Sequence, residues 1–147
     1  MISVPKYKFM KKGFILILII LISCSKPVRR VCFNDNLCLE TEVVKTPEQK
    51  ARGLMYRENL SENNAMLFVY DNPQKVRFWM KNMKFSIDMI FIDSTGKIVH
   101  IDKNVSPCKK DPCLTYSAPE EVMYVLETNK NYAKNNNIRI GDKVFIS

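Results

Sequence analysis

Two carboxylates lie on strand faces that are otherwise apolar. Asp88 shares one face of the segment 87–92 with two isoleucines, and Glu127 shares one face of the segment 122–128 with a methionine and a valine. A buried carboxylate is costly unless a cation or hydrogen-bond donors accompany it. These two residues are therefore the first candidates for binding or acid–base chemistry.

The expected partners of the two carboxylates are Arg57 and Lys81, because each stands where an apolar segment ends. A charged group of this kind binds a polar ligand or polarises a substrate, and the alternative is an internal ion-pair network that stabilises the fold. Aromatic residues of the same region suggest a ring- or sugar-binding platform, with core packing as the alternative. The candidate ligand or ion-pair site comprises Arg57, Trp79, Lys81, Asp88, Tyr116 and Glu127.

The sequence lacks the residue sets of common catalytic sites. His100 is the only histidine, no serine stands in a nucleophile elbow, and no glycine-rich phosphate loop is present. The scattered methionines favour core filling over a copper site. We predict no catalytic residues, no metal and no cofactor. The sequence favours a role without catalysis, and the alternative is a hydrolase or transferase that uses Asp88 or Glu127 as its base.

Four cysteines form two pairs that are close in sequence. Cys32 and Cys38 flank a three-residue turn, and a hairpin at this turn places them directly opposite each other. Cys108 and Cys113 lie in one polar loop. With Cys24 set aside, the number of cysteines is even, which in an exported chain favours disulfides. We predict the two local disulfides, with the other pairings and a zinc site as alternatives.

The N-terminus has the pattern of an export signal. Four lysines precede an uncharged apolar run over 13–22, which is too short to span a bilayer and fits a signal peptide. The run ends in Leu21-Ile22-Ser23-Cys24, which resembles the lipobox of bacterial lipoproteins. The resemblance implies cleavage before Cys24 and acyl chains on its thiol and its new amine. We expect an exported protein that faces the periplasm or the outside, on the outer membrane if the host has one.

Removal of residues 1–23 changes the charge of the chain. The sequence has 23 Lys and Arg against 15 Asp and Glu, and the signal holds four Lys, so the mature chain carries 19 − 15 = +4. The sequence has no basic stripe with interleaved aromatics, which argues against nucleic-acid binding. The predicted organisation is a signal peptide over 1–23, a lipidated tether over 24–30 and one domain over 31–147, which we expect to be monomeric.

Short alternating or apolar segments bounded by turn residues dominate the mature chain. Thr46, Pro47 and Gln49 predict a helix that begins with a capping box and ends near Gly53, and a second short helix is predicted over 131–136. Strands are predicted over 31–33, 37–44, 66–70, 76–80, 87–92, 97–105, 122–128 and 144–146. The pattern predicts a mainly β, sandwich- or barrel-like single domain with one or two short helices.

An ordered set of short motifs over residues 37–146 resembles domain-of-unknown-function family 192. The motifs are Thr46-Pro47-Glu48, Gly53-Leu54-Met55-Tyr56-Arg57, the segments 66–70, 78–83, 87–93, 113–116 and 125–127, and Ile138-Arg139-Ile140-Gly141-Asp142. The resemblance implies a compact, jelly-roll-like β-rich fold, and it brings no established catalytic or binding residues. Asn131 and Asn137 stand where we expect glycines, and asparagine tolerates such backbone positions better than other residues with side chains.

These observations favour a membrane-anchored accessory or binding module of the cell envelope. We expect the domain to hold a small polar ligand, a glycan or a partner protein of the envelope. The face that holds it would be built by Arg57, Trp79, Lys81, Asp88 and the 108–113 loop. The alternatives are a carboxylate-dependent hydrolase or transferase and a domain with a purely structural or interaction role.

The lipobox makes a direct prediction about acylation. Labelled fatty acid should enter the wild-type protein in bacterial cells and should not enter Cys24→Ser, because the thiol of Cys24 is the acceptor for diacylglycerol. Ser25→Ala is the matched control and should be labelled like the wild type. Equal labelling of Cys24→Ser and wild type on a denaturing gel would contradict the prediction.

Overall fold

The computed structural model of the chain describes residues 28–34 and 36–147. The predicted signal peptide, the lipidation site Cys24 and the first part of the predicted tether lie outside the described residues. Within the described residues, no helix is long and apolar enough to cross a membrane.

The described residues form nine strands and two short helices. In chain order these are β1 (Val28–Asn34), β2 (Leu37–Val44), α1 (Pro47–Arg52), β3 (Asn64–Gln74), β4 (Phe78–Trp79), β5 (Ile87–Ile92), β6 (Ile98–Val105), β7 (Thr115–Tyr116), β8 (Val122–Asn129), α2 (Tyr132–Asn135) and β9 (Phe145–Ile146). The predicted mainly β fold with one or two short helices is therefore confirmed.

Seven of these strands form one sheet in the order β6-β5-β8-β3-β2-β1-β9. All neighbouring pairs are antiparallel except β2 and β3, which run parallel with α1 in the connection between them. Strands β4 and β7 pair separately and form what we call the β4–β7 ribbon. As predicted, β5 is buried on both faces and has a neighbour on each side.

Both faces of the sheet are buried against other parts of the chain. The ribbon face carries Met66, Phe68, Met89, Phe91 and Val125, which pack with residues of the β4–β7 ribbon and of the segment after α1. The opposite face, here called the α2 face, carries Leu67, Ile90, Ile92 and Leu126, which pack with Ala133 of α2. Two hydrophobic cores therefore share one sheet, and residues one position apart on β5 or β8 enter different cores.

Several strands differ from the prediction. Strand β4 covers only Phe78–Trp79 of the predicted 76–80, and β7 was not predicted. Strand β1 begins at Val28 because residues 28–30 pair with β2, so the regular structure starts before the predicted 31. Strand β3 continues through Pro73 to Gln74 and does not stop at Tyr70. Its pairing with β8 shifts register over this stretch, and an irregular ladder of this kind accommodates a proline.

Both helices begin or end as the sequence predicts. The Thr46 hydroxyl accepts a hydrogen bond from the Gln49 amide at 3.3 Å, and the Gln49 side chain accepts one from the Thr46 amide at 3.1 Å, which completes the capping box. Around α2, Asn131 and Asn137 have φ angles of 65° and 55°. The two positions where glycine was expected are therefore left-handed, and asparagine fills them at the lowest cost for a residue with a side chain.

Asp88 is fully buried on the α2 face and is satisfied by backbone amides. Its Oδ1 accepts hydrogen bonds from the amides of Asn104 at 2.8 Å and Asn131 at 3.1 Å, and its Oδ2 accepts one from the amide of Ala133 at 3.0 Å. The carboxylate thus joins β5 to the edge strand β6 and to the start of α2. Hydrogen bonds to a charged acceptor are among the stronger polar contacts in a protein.

The predicted pairing of Asp88 with Arg57 or Lys81 is wrong. The guanidinium of Arg57 contacts Glu42 at 2.8 Å, and the ammonium of Lys81 contacts Asp111 at 3.1 Å. Three amides from distant segments already compensate the buried charge of Asp88, so no cation is required there.

Asp88→Asn should destabilise the domain by about 3 kcal/mol, since the amide group of asparagine would face the Ala133 amide donor to donor. Chemical denaturation would measure the loss as a lower transition midpoint with an unchanged slope. Asp71→Asn on the exposed part of β3 is the matched control and should change the free energy of unfolding by less than about 0.5 kcal/mol. An equally small effect at Asp88 would refute its structural role.

Candidate functional site

Glu127 is the second buried carboxyl of the sheet, and it lies on the ribbon face. It pairs with Met66 on β3 and with Met89 on β5, so a methionine flanks it on each side. Its exposed fraction is only 5%, and its Oε2 has no hydrogen-bond partner among the described residues. Glu127 therefore differs from Asp88, which has three donors.

Burial in this apolar environment raises the pKa of Glu127 to about 8, and the positive charge of Arg57 only partly opposes the rise. The carboxyl is therefore predominantly protonated at neutral pH. The nearby Tyr70 is affected in turn, because burial and the charge of Glu127 raise its pKa to about 12. A protonated carboxyl can donate one hydrogen bond and accept others.

Glu127 lines an open cleft of about 300 Å³ between α1 and the β4–β7 ribbon, which we call the Glu127 cleft. The cleft is lined by Lys50, Ala51, Arg52, Gly53, Leu54, Met55, Phe68, Tyr70, Arg77, Phe78, Trp79, Met83 and Glu127. The lining combines apolar and aromatic side chains with a few polar groups, which is the usual composition of a small-molecule site.

Three cations line the Glu127 cleft. Lys50 lies over the ring of Tyr70, with its ammonium 4.1 Å from the ring centroid. Arg52 and Arg77 are exposed, and the side chain of neither makes a hydrogen bond or an ion pair within the part of the chain that the structure describes. Trp79 also lines the cleft and is 51% exposed. The cleft thus combines free positive charge with an exposed aromatic ring.

A second cleft, of about 450 Å³, lies on the other side of the segment after α1. We call it the Arg57 cleft, since the Arg57–Glu42 ion pair contributes to its lining. The two clefts share Arg52, Gly53 and Met55. One short segment therefore separates them and forms a wall of each.

The wall between the clefts ends in two left-handed residues that bind each other. Tyr56 and Asn82 have φ angles of 65° and 58°. The Tyr56 amide donates to the Asn82 carbonyl at 2.9 Å, and the Asn82 side chain donates to the Tyr56 hydroxyl at 2.7 Å. A tyrosine in this backbone region is rare, and such conformations concentrate at functional sites.

The disulfide loop supports the ribbon side of the Glu127 cleft. Both predicted disulfides are present, Cys32–Cys38 and Cys108–Cys113, with Cα separations of 4.0 Å and 5.6 Å. The Cys108 amide donates to the Met80 carbonyl at 3.0 Å, next to Trp79. Strand β7 follows the loop and pairs with β4. The loop is thus held against the strand that carries Trp79.

The structure brings five of the six predicted site residues to the ribbon face and separates the sixth. Glu127 and Trp79 line one cleft, and Arg57 lines the other. The ammonium of Lys81 is 5.8 Å from the centroid of the Trp79 ring. Tyr116 pairs with Phe78 of β4 and packs against the ribbon-face core.

Asp88 is excluded from this group by the alternation of the sheet. It pairs with Thr128, the residue after Glu127, and so points to the α2 face. Sequence reasoning missed the cations Lys50, Arg52 and Arg77. Two signals were available, since the first two stand in the last turn of a predicted helix and Arg77 is on the polar face of a predicted strand.

Glu127→Gln should make the stability of the domain less sensitive to pH. In the wild type, the unfolded chain releases the Glu127 proton above the ordinary pKa of 4.5, whereas the folded domain holds it up to about 8. The contribution of protonated Glu127 to the free energy of unfolding is therefore fully present below pH 4.5 and is lost as the pH rises to about 8. Each pH unit in this window lowers the free energy of unfolding of the wild type by about 1.4 kcal/mol.

Glutamine has no proton that titrates in this range. The Tm of Glu127→Gln minus that of the wild type should therefore increase by roughly 5 °C or more from pH 5 to pH 8. The comparison would be made by calorimetry. Glu121→Gln changes an exposed carboxyl and should follow the wild type at every pH. Parallel curves for Glu127→Gln and wild type would show that Glu127 is not buried in its neutral form.

Comparison with known proteins agrees with this description. The family model of domain-of-unknown-function family 192, described as an uncharacterized ACR, matches residues 30–146. No curated protein matches the chain significantly. The family match and the β-rich fold confirm the resemblance that the sequence motifs suggested.

Two solved structures have the same fold. A proposed transcription regulator from Sinorhizobium meliloti 1021 is 32% identical, with a TM-score of 0.72 over 81% of this chain and 92% of that protein. A protein of unknown function from Novosphingobium aromaticivorans is 28% identical, with a TM-score of 0.70 over 80% of this chain and 83% of that protein. On the strength of the family match, the chain belongs to domain-of-unknown-function family 192.

Proposed function

We propose that this chain is a lipid-anchored module of the cell envelope whose Glu127 cleft binds a small anionic molecule with a planar or apolar part. The observation that carries the proposal is a buried polar atom, the Oε2 of Glu127, which has no hydrogen-bond partner in the described part of the chain. Lys50, Arg52 and Arg77 line the same cleft as Glu127. A buried polar group without a partner destabilises a protein, so its retention suggests that a ligand supplies the partner.

The charges favour an anion as the ligand. Glu127 is protonated at neutral pH because of its raised pKa, so it adds no negative charge and can donate its proton in a hydrogen bond. Lys50, Arg52 and Arg77 line the same cleft. Arginine is suited to two parallel hydrogen bonds with a phosphate or a carboxylate.

The remaining lining favours a ligand that is not purely ionic. Met55, Phe68 and Met83 line the cleft beside Trp79. Thioethers and aromatic faces gain contact energy from rings and hydrocarbon, whereas a bare inorganic ion leaves them unoccupied. An anion attached to a ring or to a short apolar chain therefore fits the cleft better than an inorganic ion.

A hydrolase is the second candidate, and the raised pKa of Glu127 is the observation that favours it. A carboxyl that keeps its proton near neutral pH has the property required of a general acid. Release of phenol from phenyl phosphate by the wild type, abolished in Glu127→Gln, would favour this candidate over simple binding.

Phenyl phosphate is a suitable probe, since it combines a ring with a charge that is nearly complete at pH 7 (second pKa of about 6 for phosphate esters). We expect binding to the wild type, and Arg77→Ala or Trp79→Ala should weaken it roughly tenfold or more, as loss of one charge-assisted or stacking contact does. Arg139→Ala is the matched control, since Arg139 is exposed and its side chain makes no hydrogen bond or ion pair in the described part of the chain. This variant should bind within about twofold of the wild type.

The pH dependence of phenyl phosphate binding tests the role of Glu127 directly. The dissociation constant should rise as the pH passes about 8, because the ionised Glu127 then repels the anion. Glu127→Gln should not show this rise. Isothermal calorimetry at several pH values would measure both effects. A dissociation constant for phenyl phosphate that none of the cleft substitutions changes would refute the proposed site.

A further inference from the structure

The chain enters the domain beside the Arg57 cleft. Val28, the first residue of β1, pairs with Glu42 on β2, and Glu42 forms the ion pair with Arg57. Adjacent strands lie about 4.8 Å apart, so Val28 is close to the lining of this cleft. The Arg57 cleft shares Arg52 with the Glu127 cleft. The entry point is therefore on the side of the domain that carries both clefts.

The proposed anchor is only a short distance away along the chain. Cys24 precedes Val28 by four residues, and four residues span at most about 14 Å even when fully extended. A domain of this length has a diameter of about 35 Å by the general scaling of the radius of gyration. Because the tether is shorter than half of this diameter, the entry side of the domain must stay close to the bilayer.

The surface around the two clefts has the composition of a membrane-contacting surface. The exposed fractions are 62% for Tyr56, 51% for Trp79 and 77% for Leu114. Leu114 directly precedes Thr115, which pairs with Trp79. Tyrosine and tryptophan are favoured at the boundary between headgroups and acyl chains. This surface, with the unpaired cations Arg52 and Arg77, is called the docking face below.

We infer that the docking face contacts the bilayer to which Cys24 is attached, and that the anion bound in the Glu127 cleft is the phosphate of an anionic phospholipid. The inference rests on the proposed function and on acylation of Cys24. A phospholipid supplies a phosphate for Arg52 and Arg77 and hydrocarbon for the apolar lining. The short tether also keeps the local concentration of headgroups at the cleft high.

Trp79 makes this inference testable, since it is the only tryptophan of the sequence. The lipid-anchored protein would be purified from bacterial membranes and reconstituted into phosphatidylcholine vesicles with brominated acyl chains, with or without phosphatidylglycerol. We expect bromine to quench the Trp79 fluorescence in the vesicles that contain phosphatidylglycerol. The quenching should fall to the level of pure phosphatidylcholine at ~0.5 M salt, where charge attraction is screened.

Competition by phenyl phosphate distinguishes phosphatidylglycerol bound in the cleft from nonspecific electrostatic attraction to the vesicle. Saturating phenyl phosphate should remove the quenching that depends on phosphatidylglycerol, and so should Arg52→Ala combined with Arg77→Ala. Arg139→Ala is the matched control and should retain it. Equal quenching with and without phosphatidylglycerol, or quenching that phenyl phosphate does not reduce, would overturn the inference.

The same protein in detergent micelles distinguishes failure of the docking inference from failure of the proposed anion site. If the wild type binds phenyl phosphate in micelles but shows no phosphatidylglycerol-dependent quenching in vesicles, the docking inference fails and the proposed anion site stands. If phenyl phosphate does not bind in micelles either, the proposed function fails, and the docking inference fails with it.

Discussion

A carboxyl group that leaves water must find hydrogen-bond donors or keep its proton, and the central sheet of this domain contains one example of each solution. Asp88 on β5 receives three backbone amides on the α2 face. Glu127 on β8 has an oxygen without a partner in the described part of the chain, on the ribbon face. The first arrangement stabilises the fold, whereas the second leaves a buried polar atom beside a cleft.

The surroundings of Glu127 determine what this atom can do. Helix α1 brings Lys50 and Arg52 to the cleft, and the β4–β7 ribbon with the residue before it brings Trp79 and Arg77. The disulfide loop is bonded to Met80 and fixes the ribbon side, and the paired left-handed residues Tyr56 and Asn82 fix the end of the opposite wall. Under the proposed function, walls held by these bonds would let the cleft bind an anion with little reorganisation.

Local patterns predicted much of the fold from the sequence. The alternation around Trp79, the capping box at Thr46 and the hairpin that pairs Cys32 with Cys38 depend only on residues near one another in the chain. The partners of Asp88 do not. Two of its three donors are 43 and 45 residues away, and they are backbone amides that carry no signature in the sequence.

For the same reason, the sequence grouped Asp88 and Glu127 in one site, although strand register places them on opposite faces. The proposed anion site depends on Glu127 being buried in its neutral form beside the cleft. The most direct measurement is a carbon-13 NMR titration of the Glu127 carboxyl, assigned by comparison with Glu127→Gln. We expect a midpoint near 8 that rises further when phenyl phosphate is bound, whereas a midpoint near the ordinary 4.5 would show that Glu127 is ionised at neutral pH.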